Sequence, residues 1–184
     1  MTVPNLLSLF RMGLVPLFII ALVGDHPGRA LAIFVLAGVT DAVDGFIARV
    51  YRQQSHLGSF LDPMADKLLL TSAYVMLAIP PAGGGLAIPV WVSILVIARD
   101  VLIVIVALIL YVALDIGSFP PAMIGKLTTG VQVVTVVLVM LARVLAGFEA
   151  PAVAAVYLTA AFTVASGFVY IYRASRMPEA AKEV

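Results

Sequence analysis

Asp41-Ala-Val-Asp44-Gly45-Phe-Ile-Ala48-Arg49, followed after a short polar connection by Gly58-Ser59-Phe-Leu-Asp62-Pro-Met-Ala-Asp66, sets four carboxylates among residues that otherwise read as apolar helix. Asp41 and Asp44 lie about 60° apart around a helix turning 100° per residue, so both occupy one face. Gly58, Asp62 and Asp66 recur at a spacing of four, drift only about 40° per step, and line one stripe of the following helix. The connection over residues 51–56 is short, which predicts an antiparallel helical hairpin with the two stripes face to face.

Outward from this hairpin the chain is apolar nearly throughout. Of its 184 residues 63% are hydrophobic and 11% charged, with a mean hydropathy of +1.15, whereas a soluble domain carries about 25% charged residues. About 20 apolar residues at 1.5 Å rise cross the hydrocarbon core. Six segments meet that length, at roughly 5–24, 29–50, 57–79, 88–113, 121–146 and 151–173. Breakers separate them: Asp25-His26-Pro27-Gly28, the Pro80 to Gly85 run, Gly117 to Pro121, and Gly147 to Pro151. Backbone polar groups go unpaired in lipid unless the span is helical or closes into a barrel, and the alternation that a barrel needs is missing. The expected fold is all-α, a polytopic membrane protein with six transmembrane helices forming one membrane domain over residues 1–184. The first apolar run lacks a basic leading region and carries Asn5 and Arg11, so it is expected to be a retained span rather than a cleavable signal peptide.

An even number of spans puts both termini on one side. Arg49, Arg52, Lys67, Lys126, Arg173, Arg176 and Lys182 fall on that side and only Arg29 and Arg143 on the other, which assigns both termini and the 50–57 connection to the cytoplasm. The last dozen residues, polar and mixed in charge, are expected to fray. With no cysteine, thiolate nucleophiles and cysteine-ligated metal centres are excluded. A formal charge of +1 points to no nucleic-acid partner.

Each ionisable group inside a span costs about 2.5 to 3.5 kcal/mol on insertion scales, so each calls for a reason. Four carboxylates in one pocket repel, and without a counter-charge they cannot all stay ionised. A hard divalent cation, Mg²⁺ or Mn²⁺, meets that need with oxygen ligands alone. Gly45, Ala48 and Gly58 let a ligand or helix approach the backbone, and Arg49 adds a planar cation suited to phosphate. A structural network with Arg49 and Lys67 accounts better for one aspartate at a helix end than for four at these spacings. A carboxylate-based cation transporter is the remote alternative; it leaves unexplained why the cluster lies at one surface and why the glycines accompany it.

The pattern Asp41-x2-Asp44-Gly45-x2-Ala48-Arg49-x8-Gly58-x3-Asp62-x3-Asp66 resembles the signature of the CDP-alcohol phosphotransferases at every fixed position. Val3-Pro4-Asn5-Leu6-Leu7 followed by Arg11 is similar to that family's amino-terminal segment, so the likeness covers essentially the whole chain. It implies an enzyme that transfers a phosphatidyl group from CDP-diacylglycerol to an alcohol at the cytoplasmic face of the cell's inner or plasma membrane, with release of CMP. By that resemblance Asp41, Asp44 and Asp62 ligate a metal on the pyrophosphate, and Asp66 ligates a second ion and acts as general base. Asn5, Asp41, Gly45, Ala48, Arg49, Gly58 and Ser59 contact the nucleotide. Two Mg²⁺ or Mn²⁺ ions and a homodimer are implied in the same way.

Arg99 in the fourth span and Lys126 at the start of the fifth are two cations that suit an acceptor phosphate; equally, Arg99 can pair with Asp100 and Lys126 can snorkel to the surface. Gly125-Lys126-Leu127-Thr128-Thr129 resembles the Gly-Lys-x-Lys-Thr stretch of members that use glycerol 3-phosphate, with Thr128 in place of the second lysine. Glycerol 3-phosphate is the expected acceptor, giving phosphatidylglycerophosphate, and phosphatidylglycerol, giving cardiolipin, is the alternative. His26 and His56 are expected at the surface, Trp91 and Tyr111 as interfacial anchors, Met64 in packing, and Asp115 and Glu149 in loops.

Overall fold

Six α-helices account for almost all described residues: α1 (Val3–Val23), α2 (Pro27–Tyr51), α3 (Gly58–Leu77), α4 (Val90–Leu114), α5 (Met123–Val144) and α6 (Glu149–Ala180). The computed structural model describes the backbone of residues 3–51, 58–114 and 123–180, and side chains within 7–41, at 43, and within 64–106 and 123–173. No strand occurs among the described residues. Two stretches among them, Met123–Val144 and Glu149–Arg173, are long and apolar enough to cross a membrane. Large apolar side chains face outward, Ile20, Ile94, Val104 and Phe168 among them, as suits a fold whose solvent is hydrocarbon.

The limits of α1 to α5 fall within two residues of the expected spans. The sixth differs. Glu149, expected in a loop, opens α6, where a carboxylate suits the positive end of the helix, and it accepts a 2.9 Å hydrogen bond from Gly147 N–H. Gly147 has φ of +92°, the left-handed backbone that glycine tolerates. At its other end α6 continues to Ala180, through residues expected to fray. Beyond the apolar run, Arg173-Ala-Ser-Arg176-Met177 is composed mostly of strong helix formers, which carry the helix past the span, and it continues through Pro178 to Ala180. Met64, expected in packing, is exposed.

The chain forms two compact units, Met1–Ala87 with Val136–Glu149, and Ile88–Thr135 with Ala150–Val184. In the first, α1 packs against both α2 and α3. α1 buries the row Ser8, Arg11, Leu14, Val15, Phe18 and Ala21, α2 buries Ala30, Phe34 and Ala37, and α3 buries Ala65, Leu69, Leu70, Ala73, Tyr74 and Leu77. These are recurrences of three and four, and the alanines in them let helix axes come close. The Phe18 and Phe34 rings meet at 5.9 Å between centroids. The turn from α1 to α2 closes in three residues: His26 N–H bonds Ala21 O at 2.9 Å, Asp25 N–H bonds Leu22 O at 3.1 Å, and Asp25 takes φ of 55°, the geometry of a Schellman C-cap.

In the second unit the buried face of α6 is polar where it meets α5. Thr135 Oγ1 lies 2.8 Å from Thr159 Oγ1 and donates toward Ala155 O at 3.0 Å, while Thr128 Oγ1 lies 3.3 Å from Phe162 O. Hydroxyls that bond across helices serve as glue where lipid offers no hydrophobic driving force between them.

Candidate active site

The buried rows of the first unit end in charge. One heptad from the Phe18–Phe34 contact, seven residues back along α1 and seven forward along α2, Arg11 meets Asp41. On α3 the row that buries Tyr74 and Leu70 reaches Asp66 one turn earlier. Each helix thus carries its ionisable residue as the continuation of its packing seam, and three helices packed by those seams bring the charges to one place.

Nη1 of Arg11 makes an ion pair with Asp41 Oδ1 at 2.5 Å and also pairs with Asp66 Oδ1. The Arg11 side chain is 1% exposed, whereas those of Asp41 and Asp66 are 44% and 49% exposed. The cation is therefore sealed in the helix interface, and the two carboxylates rest on it with their outer sides open. Burying an arginine is tolerable only beside anions, and two carboxylates on one guanidinium leave a net charge of −1 at this point. Among the three groups, a site for a further cation remains electrostatically favourable.

Of the four aspartates expected to share a pocket, Asp41 and Asp66 are brought together through Arg11. Asp44 lies three residues along α2 from Asp41, and Asp62 one turn before Asp66 on α3; their side chains lie outside the described residues. The same holds for the side chains of Asn5 on α1, Gly45, Ala48 and Arg49 on α2, and Gly58 and Ser59 on α3. His56 and Asp115 fall wholly outside the described residues. No group of three or more His, Asp or Glu suited to a metal occurs among the described residues. The donors that are described fit a hard divalent ion: both are carboxylate oxygens, and they converge from two helices on a single cationic atom.

The other two expected site residues belong to the second unit. Arg99 is buried on α4 and held on three sides: Nη1 donates to Asp100 Oδ1 at 2.8 Å, Nε and Nη2 donate to Ser166 Oγ at 3.1 and 2.7 Å, and the guanidinium carbon stands 5.6 Å from the Tyr170 ring centre. α5 passes close by only because residue 125 is glycine: a Cβ there would lie 2.7 Å from Tyr170 Oη and 3.2 Å from Arg99 Nη2. Lys126 is exposed. Thr128, which stands where the resembled Gly-Lys-x-Lys-Thr stretch carries its second lysine, is buried and bonds Ile124 O at 2.7 Å. Its hydroxyl is spent on packing within α5 and toward α6.

Arg11, Ser166 and Tyr170 escaped the sequence reading as members of charged sites. For Arg11 a signal existed: an arginine inside an apolar span needs an anion, and the span has no acid of its own. For Ser166 and Tyr170 no local signal distinguishes them from other packing residues.

The family model described as CDP-alcohol phosphatidyltransferase matches residues 1–166. The chain is 37% identical over 153 residues to the human cardiolipin synthase (CMP-forming), covering 73% of this chain and 48% of that protein. It is 37% identical over 182 residues to a probable phosphatidylglycerophosphate synthase of Mycobacterium tuberculosis, covering 94% of this chain and 81% of that one. To the CDP-diacylglycerol--glycerol-3-phosphate 3-phosphatidyltransferase of Pectobacterium atrosepticum it is 37% identical over 175 residues, 92% of each chain. The chain spans about half the length of the human relative and most of the length of the two bacterial ones.

Proposed function

This chain belongs to the CDP-alcohol phosphatidyltransferase family, and from that premise we propose that it transfers the phosphatidyl group of CDP-diacylglycerol to glycerol 3-phosphate, giving phosphatidylglycerophosphate and CMP. The observation that carries this reading is the meeting of Asp41 and Asp66, from two helices, on one cation at the end of the packed seams. Phosphoryl transfer asks for that arrangement: fixed carboxylates where positive charge is held against phosphate, and one base beside the attacking hydroxyl. The family is generally dependent on a divalent metal. Asp41, Asp44, Asp62 and Asp66 would hold Mg²⁺ or Mn²⁺, two ions in the full site, whose charge would offset that developing on the phosphates.

The chain's own groups do the rest. Asn5, Asp41, Gly45, Ala48, Arg49, Gly58 and Ser59 bind the nucleotide. Asp66 takes the proton of the acceptor hydroxyl as its oxygen bonds to the phosphatidyl phosphorus, and the bond from that phosphorus to the CMP oxygen breaks. Arg99 and Lys126 bind the acceptor phosphate. A guanidinium has five N–H donors, so Arg99 retains donors for a ligand beyond those given to Asp100 and Ser166. We place residues 1–184 in the cell's inner or plasma membrane as one domain of six spans, with both termini and the active site on the cytoplasmic side, acting as a homodimer.

One observation favours a second acceptor. With Thr128 committed to packing, the α5 segment offers one lysine where the resembled stretch has two, and phosphatidylglycerol, a diester with a single charge, asks for less. The product would then be cardiolipin. The deciding experiment supplies purified protein with CDP-diacylglycerol, Mg²⁺ and either labelled glycerol 3-phosphate or phosphatidylglycerol. Label entering lipid with matching release of CMP supports the first acceptor; cardiolipin formation without label incorporation overturns it. CMP release that persists in excess EDTA, or that needs no alcohol, overturns the metal-dependent transferase mechanism, and no CMP release with either alcohol would return attention to the cation-transport alternative.

A further inference from the structure

We propose that Arg11 is a built-in counter-charge that holds Asp41 and Asp66 together and lowers the site's affinity for divalent cations. The inference rests on the metal-dependent reading above. One nitrogen of Arg11 meets an oxygen of each carboxylate, so the guanidinium occupies the electrostatic position that a shared metal would claim. It is also fixed there. Arg11 is fully buried in the α1 row between Ser8 and Leu14, and to swing into solvent it would have to leave a seam that packs against both α2 and α3.

A divalent ion that binds Asp41 or Asp66 therefore faces a fixed positive charge. If it takes the same oxygens, it competes with Nη1. If it takes the outer oxygens, the two cations sit on opposite sides of one carboxylate, in surroundings where screening is weak. Either way Arg11 opposes the ion, while in the ion's absence it is the group that relieves repulsion between the acids. The consequence is a site that folds and stays assembled without metal and that binds metal modestly. A phosphate-bearing ligand, which brings negative charge of its own, then restores the balance in the metal's favour.

Mn²⁺ titration of the detergent-purified full chain tests this directly, with thermal unfolding measured in parallel. Arg11→Gln is expected to bind Mn²⁺ at least about tenfold more tightly than the unaltered chain. It is also expected to unfold at a lower temperature in EDTA, with Mn²⁺ recovering most of the difference. Arg11→Lys, which keeps the charge, is expected to retain near-normal Mn²⁺ affinity. A purely structural arginine would lower stability without tightening metal binding. Equal or weaker Mn²⁺ binding by folded Arg11→Gln overturns the proposal and makes Arg11 an organiser of the ligands instead. Failure to recover folded Arg11→Gln even with Mn²⁺ present throughout also overturns it, because the metal is expected to replace the lost charge. If the unaltered chain itself takes up no Mn²⁺, the metal-dependent reading falls with it, an outcome distinct from either of these.

Discussion

Arg11 and Arg99 are both buried guanidiniums on apolar helices, and they have been accommodated differently. Arg11 rests on two carboxylates from other helices; Arg99 pairs with its neighbour Asp100 and is braced by Ser166 and Tyr170 of α6. Under the proposed function, the first arrangement suits charge control at the reaction centre, and the second a cation that meets an anionic acceptor. A contrast of variants separates the roles. Asp66→Asn removes the proposed base while keeping the side chain's size, and turnover is expected to fall at least about 10²-fold, with CDP-diacylglycerol still bound. Lys126→Ala is expected to act instead on the acceptor, raising the KM for glycerol 3-phosphate about 10- to 100-fold, the worth of one charge-assisted contact, with the KM for CDP-diacylglycerol nearly unchanged. Lys126 is the cleaner test of the two cations because it is exposed, whereas Arg99→Ala would also strip Asp100 of its ion pair. Steady-state kinetics with each substrate varied in turn would reveal a swapped pattern, which would mean that the base and the acceptor site have been exchanged.

Helix ends in this chain are closed by groups from elsewhere in the sequence as well as by local turns. The α1 terminus closes on itself through Asp25 and His26. The α3 terminus instead receives Arg143 from the end of α5: Nη2 donates to Leu77 O at 3.0 Å and Ile79 O at 3.2 Å, and Nε donates to Leu86 O at 2.8 Å. The last carbonyls of a helix lack intrahelical partners and carry its negative end, so a guanidinium is well matched to them. From the charge pattern alone Arg143 is one of few basic residues on its side; the structure makes it the clasp between α5 and the chain leaving α3. Arg143→Met preserves most of the aliphatic bulk and removes the donors, and it is expected to cost about 1.5 to 3 kcal/mol. In a chain of this size that lowers the unfolding midpoint by several degrees, at roughly 2 to 4 °C per kcal/mol. Metal affinity is expected to stay as it was, since the clasp involves none of the carboxylate cluster. Thermal unfolding in detergent with and without Mn²⁺ reads both, and an unchanged midpoint would show the three bonds to be worth no more than water.

For the molecule as a whole, the proposed topology puts the 51–57 connection and the α3–α4 loop on opposite sides of the membrane. The absence of native cysteine makes single-cysteine labelling clean. In intact cells an impermeant thiol reagent is expected to reach Ala82→Cys, an exposed loop position, and to spare His56→Cys until the membrane is opened. The reverse pattern would invert the whole arrangement and carry the active site to the outer face. The helices themselves could be read without any structure, because apolar length, breaker residues and recurrences of three and four are local properties of the chain: the starts and ends of α1 to α5, and the placing of Asp41 with Asp44 and of Asp62 with Asp66 on common stripes, follow from spacing alone. The end of α6 did not, since charge marks where an apolar span stops but does not stop a helix. Which charges meet is a different kind of fact. Arg11 and Asp66 are separated by 55 positions, Arg99 and Ser166 by 67, and Arg143 and Leu77 by 66, and no periodicity along one helix encodes a partner on another. The sequence by itself determined the helices and the acidic stripes; only the packing of α1 against α2 and α3 decided that a buried arginine stands between Asp41 and Asp66, because a guanidinium sealed in a helix interface takes its anions from neighbouring helices, which spacing along one helix does not encode.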